Sequence, residues 1–213
     1  MIWRSITAQQ FALYFTILVY VSGLIGMHTA WRDWFISMTP FTLLLSTAVL
    51  LWWQPLHTAR TRAWALGAFL IGYGSEVIGI NTGLIFGDYT YSGVLGPQIW
   101  STPPMIGINW LLVTYLVNEA VWRFLPTRTS PFLGAIIAAI GCTAFDYLVE
   151  PGAISLNYWS WSTGLPPFEN YVGWFFVSLI ISISYTKTMS AGLRNTAAPV
   201  LLVLQLLFFA VIR

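Results

Sequence analysis

The sequence predicts an all-α integral membrane protein with about seven transmembrane helices, a cytoplasmic N-terminus and two aromatic outer loops. Composition predicts this class, because 57% of the residues are hydrophobic, only 8% are charged and the mean hydropathy is +0.73. A soluble domain carries about 25% charged residues. The apolar residues also fall into separate stretches, each near the length of about 20 residues that crosses a bilayer as a helix. We therefore expect one polytopic domain over residues 1–213, located as a multi-pass protein in the cell (inner) membrane.

The predicted spans are separated by segments that contain polar and basic residues. The first apolar stretch is long for a signal peptide, and no clear small-residue cleavage site follows it, so we count it as a span. The spans are 8–27, 35–54, 63–80, 104–122, 131–150, 170–187 and 196–212.

The distribution of Lys and Arg predicts the orientation. With these spans, one side of the membrane receives seven basic residues and the other receives two. Cytoplasmic loops carry the excess of Lys and Arg, so the two longest loops, 81–103 and 151–169, are predicted to lie outside. The cytoplasmic group is Arg4, Arg60, Arg62, Arg123, Arg128, Lys187 and Arg194, and the outer group is Arg32 and Arg213.

Several classes of site and partner are disfavoured by the sequence. It contains no CxxC, HExxH, GxGxxG or Walker pattern, and its single cysteine, Cys142, lies inside an apolar stretch. His28 and His57 fall at predicted helix ends, where we interpret them as interfacial residues rather than metal ligands. The net charge of +2 is small and its basic residues are scattered, unlike a nucleic-acid-binding surface. We therefore expect no metal, no cofactor and no nucleic-acid partner.

Three acidic residues, Glu76, Asp146 and Glu150, are predicted to lie at similar depth in the outer half of the bilayer. Acidic side chains inside a membrane are rare and are functional candidates by default. Pro151 is predicted to end the helix at residue 150. The alternative interpretation is that the three carboxyls only accept hydrogen bonds from backbone groups freed at helix ends.

A weak internal repeat groups two of these acids with aromatic residues. Each acid is followed thirteen and fifteen residues later by aromatics, and then by a proline-containing turn and a tryptophan. The segments "DYTYSG" and "NYWSWS" alternate and predict two short strands, although an aromatic belt at the lipid headgroups is an alternative. Parallel repeats of this kind form a site where they meet. The first unit contains Glu76, Tyr89, Tyr91 and Trp110, and the second contains Asp146, Trp159, Trp161 and Trp174.

These residue types suit a reaction through a carbocation. Removal from water favours the neutral form of a carboxyl group, more so when a second carboxylate is close. Asp146 and Glu150 share one helix face, so one proton retained between them provides an acid and a base. Aromatic faces attract cations by about 2 kcal/mol or more when desolvated. The predicted chemistry is protonation of an alkene, followed by capture of the cation by water or by an internal double bond.

Two blocks of the sequence resemble the integral-membrane carotenoid hydratase family. The first is "EVIGINTGLIFGDYTYSGVLGP" with the later "INW", and the second is "DYLVEPGAISLNYWSW" with the later "ENYVGW". The resemblance covers roughly residues 70–185, which we expect to be the catalytic core. The family includes γ-carotene 1′,2′-hydratases and bisanhydrobacterioruberin hydratases.

The resemblance implies a hydro-lyase that adds water, without a cofactor, across the terminal double bond of an acyclic carotenoid ψ-end. The substrate would be lycopene, γ-carotene or a C50 carotenoid, and the partners would be the lipid bilayer and other carotenoid-biosynthesis enzymes. Either Asp146 or Glu76 would donate the proton, and Glu150 would orient the water. The substrate-binding residues would be Tyr89, Tyr91, Trp110, Trp159, Trp161, Asn170 and Trp174.

Three other functions are compatible with the sequence alone. A membrane lycopene cyclase would close the same cation on a neighbouring double bond, so its product would not gain the mass of water. A small proton-coupled transporter would use buried carboxyls as a relay, but it predicts polar residues along several spans. A non-catalytic pigment-binding subunit would need the aromatic residues and not the carboxyls.

Overall fold

The computed structural model describes residues 6–53, 58–188 and 195–212, and it is mostly helical over these residues. Arg4, His57, Arg194 and Arg213, which entered the sequence predictions, lie outside the described residues. The helices are α1 (Ala8–Gly26), α2 (Arg32–Ser37), α3 (Thr39–Trp53), α4 (Ala59–Thr82), α5 (Met105–Phe124), α6 (Pro131–Ser155), α7 (Phe168–Thr188) and α8 (Ala198–Val211). The strands are β1 (Tyr89–Tyr91) and β2 (Trp159–Trp161).

Four of the described helices, α1, α4, α5 and α6, are long and apolar enough to cross a membrane by length and composition. The helices α3 and α8 are apolar but shorter. Each of the seven predicted apolar stretches overlaps one of the helices α1 and α3 to α8. The prediction of a mostly helical membrane protein therefore agrees with the structure, while the count of seven crossings and the orientation stay predictions.

The prediction that Pro151 ends its helix is wrong, because α6 continues through Pro151 to Ser155. Proline removes one backbone N–H from a helix, but here only one turn remains after it. The backbone N–H of Leu156 and the hydroxyl of Ser155 both donate to the carbonyl of Gly152, at 2.9 and 2.8 Å. Arg32 donates to the carbonyl of Ser155 at 2.9 Å. These bonds satisfy the end of the helix and hold the chain that leads into β2.

The two predicted strands are confirmed, and they pair with each other as a two-stranded antiparallel sheet. The protein is therefore not purely α-helical. Thr90 lies opposite Ser160 at the centre of the pairing, and their hydroxyl oxygens are 3.1 Å apart. The flanking pairs are Tyr89 with Trp161 and Tyr91 with Trp159.

Helix α5 forms the centre of the helical packing. It contacts α3, α4, α6, α7 and α8, and every residue from 110 to 119 is buried. Trp110 fits against α4 because Gly72 has no side chain: a Cβ at Gly72 would lie 2.3 Å from the Cβ and Cγ of Trp110. Close packing of α4 on α5 therefore sets the position of the Trp110 indole.

Helices α1, α3 and α8 are joined by buried polar side chains. Tyr20 of α1 lies 3.1 Å from the hydroxyl of Ser46 in α3, and Gln205 of α8 donates to the Tyr20 hydroxyl at 3.3 Å. All three residues are buried. Hydrogen bonds between apolar helices stabilise their association, and here they hold α1, which is otherwise largely exposed, beside the rest of the protein.

Replacing Gly72 by alanine should lower the melting temperature in detergent, measured by size-exclusion chromatography after heating. The new Cβ would overlap Trp110, and overpacking of this kind costs about 1–3 kcal/mol. Gly67→Ala in the same helix is the matched control, because its Cβ would meet nothing within 4 Å. Both variants gain the same helix propensity of about 1 kcal/mol. Equal melting temperatures for the two variants would contradict this account of the packing.

Candidate active site

All ten side chains that the sequence analysis selected line one small cavity of about 20 Å³. It lies where the sheet meets α4, α5, α6 and α7. The structure adds three lining residues that the sequence analysis missed, Phe86, Ile106 and Asn109. The predicted residues are Glu76, Tyr89, Tyr91, Trp110, Asp146, Glu150, Trp159, Trp161, Asn170 and Trp174.

Glu76 is buried and accepts three hydrogen bonds. Its Oε2 accepts from the hydroxyls of Tyr89 and Tyr91, the latter at 2.6 Å. Its Oε1 accepts from the indole N–H of Trp110 at 2.9 Å. Side chains two residues apart in a strand point to the same side, so β1 directs both tyrosines at one carboxyl.

The two tyrosine hydroxyls are held in their protonated form. Burial, and second to it the charge of Glu76, raises the pKa of Tyr89 and of Tyr91 above the usual value for a phenol. A neutral phenol remains a hydrogen-bond donor. The hydroxyls therefore serve as fixed donors to Glu76.

Glu150 is held in the same manner by the second strand. The indole N–H groups of Trp159 and Trp161 both donate to its Oε2, each at 3.1 Å. Indole is a donor only, so neither tryptophan can take up a proton from Glu150. The side chain is 3% exposed, and the structure gives its Oε1 no hydrogen-bond partner among the described residues.

Asp146 has a different environment from the other two acids. It is 1% exposed, and the side-chain amide of Asn170 donates to its Oδ2 at 2.8 Å. Among the described residues, the structure gives its Oδ1 no hydrogen-bond partner. Asp146 therefore receives fewer donors than Glu76 or Glu150.

Aromatic rings surround the three acids. The indoles of Trp110 and Trp174 stack with centroids 3.9 Å apart and an angle of 18° between their planes. The rings of Tyr89 and Trp161, paired across the sheet, lie 5.0 Å apart. Ring faces of this kind attract a positive charge when water is excluded.

A second cavity, of about 230 Å³, adjoins the small one. Helices α1, α3, α6 and α8 line most of it, and its walls are mainly apolar. Five residues line both cavities, so the acidic site lies beside a larger apolar space. These five are Ile106, Asn109, Asp146, Trp159 and Trp174.

Sequence reasoning missed the three additional lining residues for identifiable reasons. Phe86 and Ile106 are ordinary apolar residues in an apolar chain, and no sequence pattern distinguishes them. Asn109 carries a usable signal, because it is a polar residue in the apolar segment "GINW", directly before Trp110. The described part of the chain contains no group of three or more His, Cys, Asp or Glu residues that could hold a metal ion.

Comparisons with known proteins agree with the predicted resemblance. A family described as "Carotenoid biosynthesis protein" matches residues 36–213. Bisanhydrobacterioruberin hydratase of Haloarcula japonica is 25% identical over 189 residues, which cover 84% of this chain and 63% of that protein. The chain thus spans less than two thirds of the length of this relative. No solved structure matches the chain. The resemblance to a carotenoid hydratase-like family is confirmed.

Replacing Tyr89 by phenylalanine should lower the free energy of unfolding. The ring is retained, but Glu76 loses one donor, and a buried group that loses its partner costs about 1–3 kcal/mol. The measurement is the melting temperature in detergent. Thr90→Val in the same strand is the control, since it removes only the exposed hydroxyl that faces Ser160. A Tyr89→Phe variant as stable as Thr90→Val would show that this hydrogen bond does not support the fold.

Proposed function

Because this chain belongs to the carotenoid biosynthesis protein family, we propose that it is a hydro-lyase of the carotenoid 1,2-hydratase type. It adds water across the terminal double bond of an acyclic carotenoid ψ-end and forms a tertiary hydroxyl. The observation that carries the proposal is a small cavity lined by three carboxyls beside a larger apolar cavity. The name of the haloarchaeal relative supports the same reaction class.

The apolar cavity would hold the polyene, with its reacting end at the residues shared by the two cavities, and the small cavity would hold the attacking water. A cavity of about 20 Å³ has room for about one water molecule. This size supports hydration, in which water captures the cation, over cyclisation. A carotenoid dissolved in lipid could reach the apolar cavity from the bilayer, because the lining residues Ser22, Trp34 and Phe41 are exposed.

The proposed membrane arrangement has seven crossings, formed by α1 and α3 to α8. The apolar helices α3 and α8 have 15 and 14 residues, and a short crossing is accommodated by local thinning of the bilayer. The sheet and its two loops would lie on the outer side, since loops 81–103 and 151–169 contain no Lys or Arg.

Asp146 is the proposed proton donor. It lines both cavities, so it can reach an alkene that enters from the apolar side. Its single described hydrogen bond, from Asn170, leaves Oδ1 available. Hydrogen bonds to a carboxylate favour the charged form, so Glu76, with three donors, is better suited to remain ionised. Its negative charge would stabilise the cation.

In the proposed reaction, the protons and electron pairs balance without a cofactor. Asp146 gives its proton to the CH carbon of the terminal double bond, whose π electrons form the new C–H bond. The positive charge then lies on the carbon that carries two methyl groups. A lone pair of the water oxygen forms the C–O bond, with Glu150 orienting the water. The proton released by the water returns to the Asp146 and Glu150 pair, which regains its single proton.

Expression in a lycopene-accumulating host tests the proposed function directly. We expect a carotenoid that has gained the mass of one water molecule, and oxygen from heavy-oxygen water should appear in the new hydroxyl. A product of unchanged mass with a terminal ring would instead identify a cyclase. Bound but unaltered pigment would identify a pigment-binding subunit.

Replacing Asp146 by asparagine should abolish formation of the tertiary alcohol, because an amide of the same shape cannot donate the proton. The variant should still accumulate in the membrane, since asparagine retains an oxygen acceptor for Asn170. Product analysis by mass spectrometry is the measurement, with Glu169→Gln as the control because Glu169 is exposed in the first turn of α7. An active Asp146→Asn variant would remove Asp146 from the mechanism.

Replacing Gly23 by leucine should weaken use of the long substrate without changing the carboxyl site. Gly23 of α1 lines the apolar cavity, and a Cβ there would meet only Phe208, at an ordinary 3.7 Å. A leucine can therefore fit, but its side chain would fill part of the apolar cavity that the polyene would occupy. For Gly23→Leu we expect a higher KM with a smaller change in kcat. Gly67→Leu is the control, because a Cβ at Gly67 would meet nothing within 4 Å. This variant should have the same KM and kcat as the unchanged protein. Equal KM values for both variants would argue against this cavity as the polyene site.

A further inference from the structure

We infer that Asn109 binds the water that captures the carbocation, and thereby sets how much of the cation becomes alcohol. This inference rests on the proposed function. Asn109 lies in the second turn of α5, between Ile106 and Trp110, and lines both the acidic cavity and the apolar cavity. It is therefore placed where the end of the polyene and the attacking water would meet.

The amide of Asn109 is available for this role. Among the described residues, the structure gives it no hydrogen-bond partner, although the side chain is half-buried. Asparagine has four hydrogen-bonding positions, two donors on the nitrogen and two acceptor lone pairs on the oxygen. Polar groups in such surroundings are normally paired with protein or with water. The free amide at this junction is thus suited to a small polar ligand in the cavity.

The other residues shared by the two cavities cannot do the same. Ile106 is apolar, and the indole N–H of Trp159 is already donated to Glu150. The indole of Trp174 can only donate, and Asp146 is needed for the proton. Asn109 is therefore the shared side chain with a neutral acceptor.

A neutral acceptor is what the capture step requires. The attacking water must keep one lone pair directed at the cation, so its hydrogens must be held by acceptors. The Asn109 oxygen would accept one hydrogen, and the Glu150 carboxylate would accept the other. An amide does not take up the proton, so the proton released on C–O bond formation passes to the carboxylate pair. Loss of Asn109 should therefore impair capture of the cation but not its formation.

This distinction can be measured in heavy water. A cation formed by deuteron transfer has two fates: attack by water, or loss of a proton from a neighbouring carbon. Loss of a proton returns an unhydrated alkene that retains deuterium. The ratio of alcohol to deuterated, unhydrated carotenoid thus reports the capture step alone, and a merely structural role of Asn109 would not change it.

The experiment compares three membrane samples, which contain the unchanged protein, the Asn109→Leu variant or the Asn109→Gln variant. Each sample is incubated with lycopene in deuterated buffer. For Asn109→Leu we expect the ratio to fall by about tenfold, the size of one lost hydrogen bond to the attacking water. Deuterium uptake should persist. Asn109→Gln retains the amide and should recover part of the alcohol. Asn81→Leu is the control, because Asn81 is exposed on α4 and donates to backbone carbonyls.

Each outcome has a defined meaning. If the unchanged protein forms alcohol and Asn109→Leu forms it at the same ratio, the inference is wrong. It is equally wrong if Asn109→Leu is present in the membrane but loses alcohol and deuterium uptake together. If Asn109→Leu does not accumulate, Asn109→Ala decides the same comparison. If the unchanged protein yields neither alcohol nor deuterated carotenoid, the proposed function itself fails.

Discussion

The need to supply hydrogen-bond donors to three buried carboxyls constrains this structure more than any other feature. Each carboxyl is at most 4% exposed, in a chain where only 8% of the residues are charged. A buried carboxyl without partners is strongly unfavourable. The short sheet meets most of this need, because its two strands direct four phenol and indole groups at Glu76 and Glu150. The need for these donors explains why a mostly helical protein contains two three-residue strands.

The pairing of the strands also gives the sequence repeat a geometric meaning. The step along the chain that relates Glu76 to Asp146 also relates Thr90 to Ser160, which face each other at the centre of the sheet. If the two sequence units are exchanged, Thr90 still faces Ser160, and the pair Tyr89 with Trp161 becomes the pair Trp159 with Tyr91. The strand pairing therefore has the symmetry of a local two-fold axis. A two-fold axis that runs along the helices keeps the direction of equivalent helices, so they are parallel. The same axis reverses the direction of strands that lie across it, so they are antiparallel. The parallel repeat and the antiparallel sheet are thus consistent with each other.

Sequence reasoning predicted the parts of this structure that depend on local patterns. Apolar length predicted the helices, and alternation of aromatics predicted both strands. It failed at Pro151, because the hydrogen bonds from Ser155 and Leu156 that complete α6 are visible only in the folded chain. The apolar cavity was also unpredictable, since it depends on how α1, α3 and α8 associate around α6. Asn109 stands out in the sequence as a polar residue in an apolar segment, but its position between two cavities depends on the folded chain.

The two units are alike in sequence but differ in how they hold their acids, and this difference supports distinct chemical roles. In the first unit, the aromatics at the thirteenth and fifteenth positions donate to Glu76 itself. In the second, the equivalent tryptophans donate to Glu150, one helical turn beyond Asp146. The first unit has Ile80 at the position of Glu150. The extra acid therefore takes the indole donors and leaves Asp146 with Asn170 alone. In the proposed mechanism, the same sequence pattern of acid and aromatics thus provides both a fixed anion, Glu76, and a carboxyl that transfers its proton, Asp146.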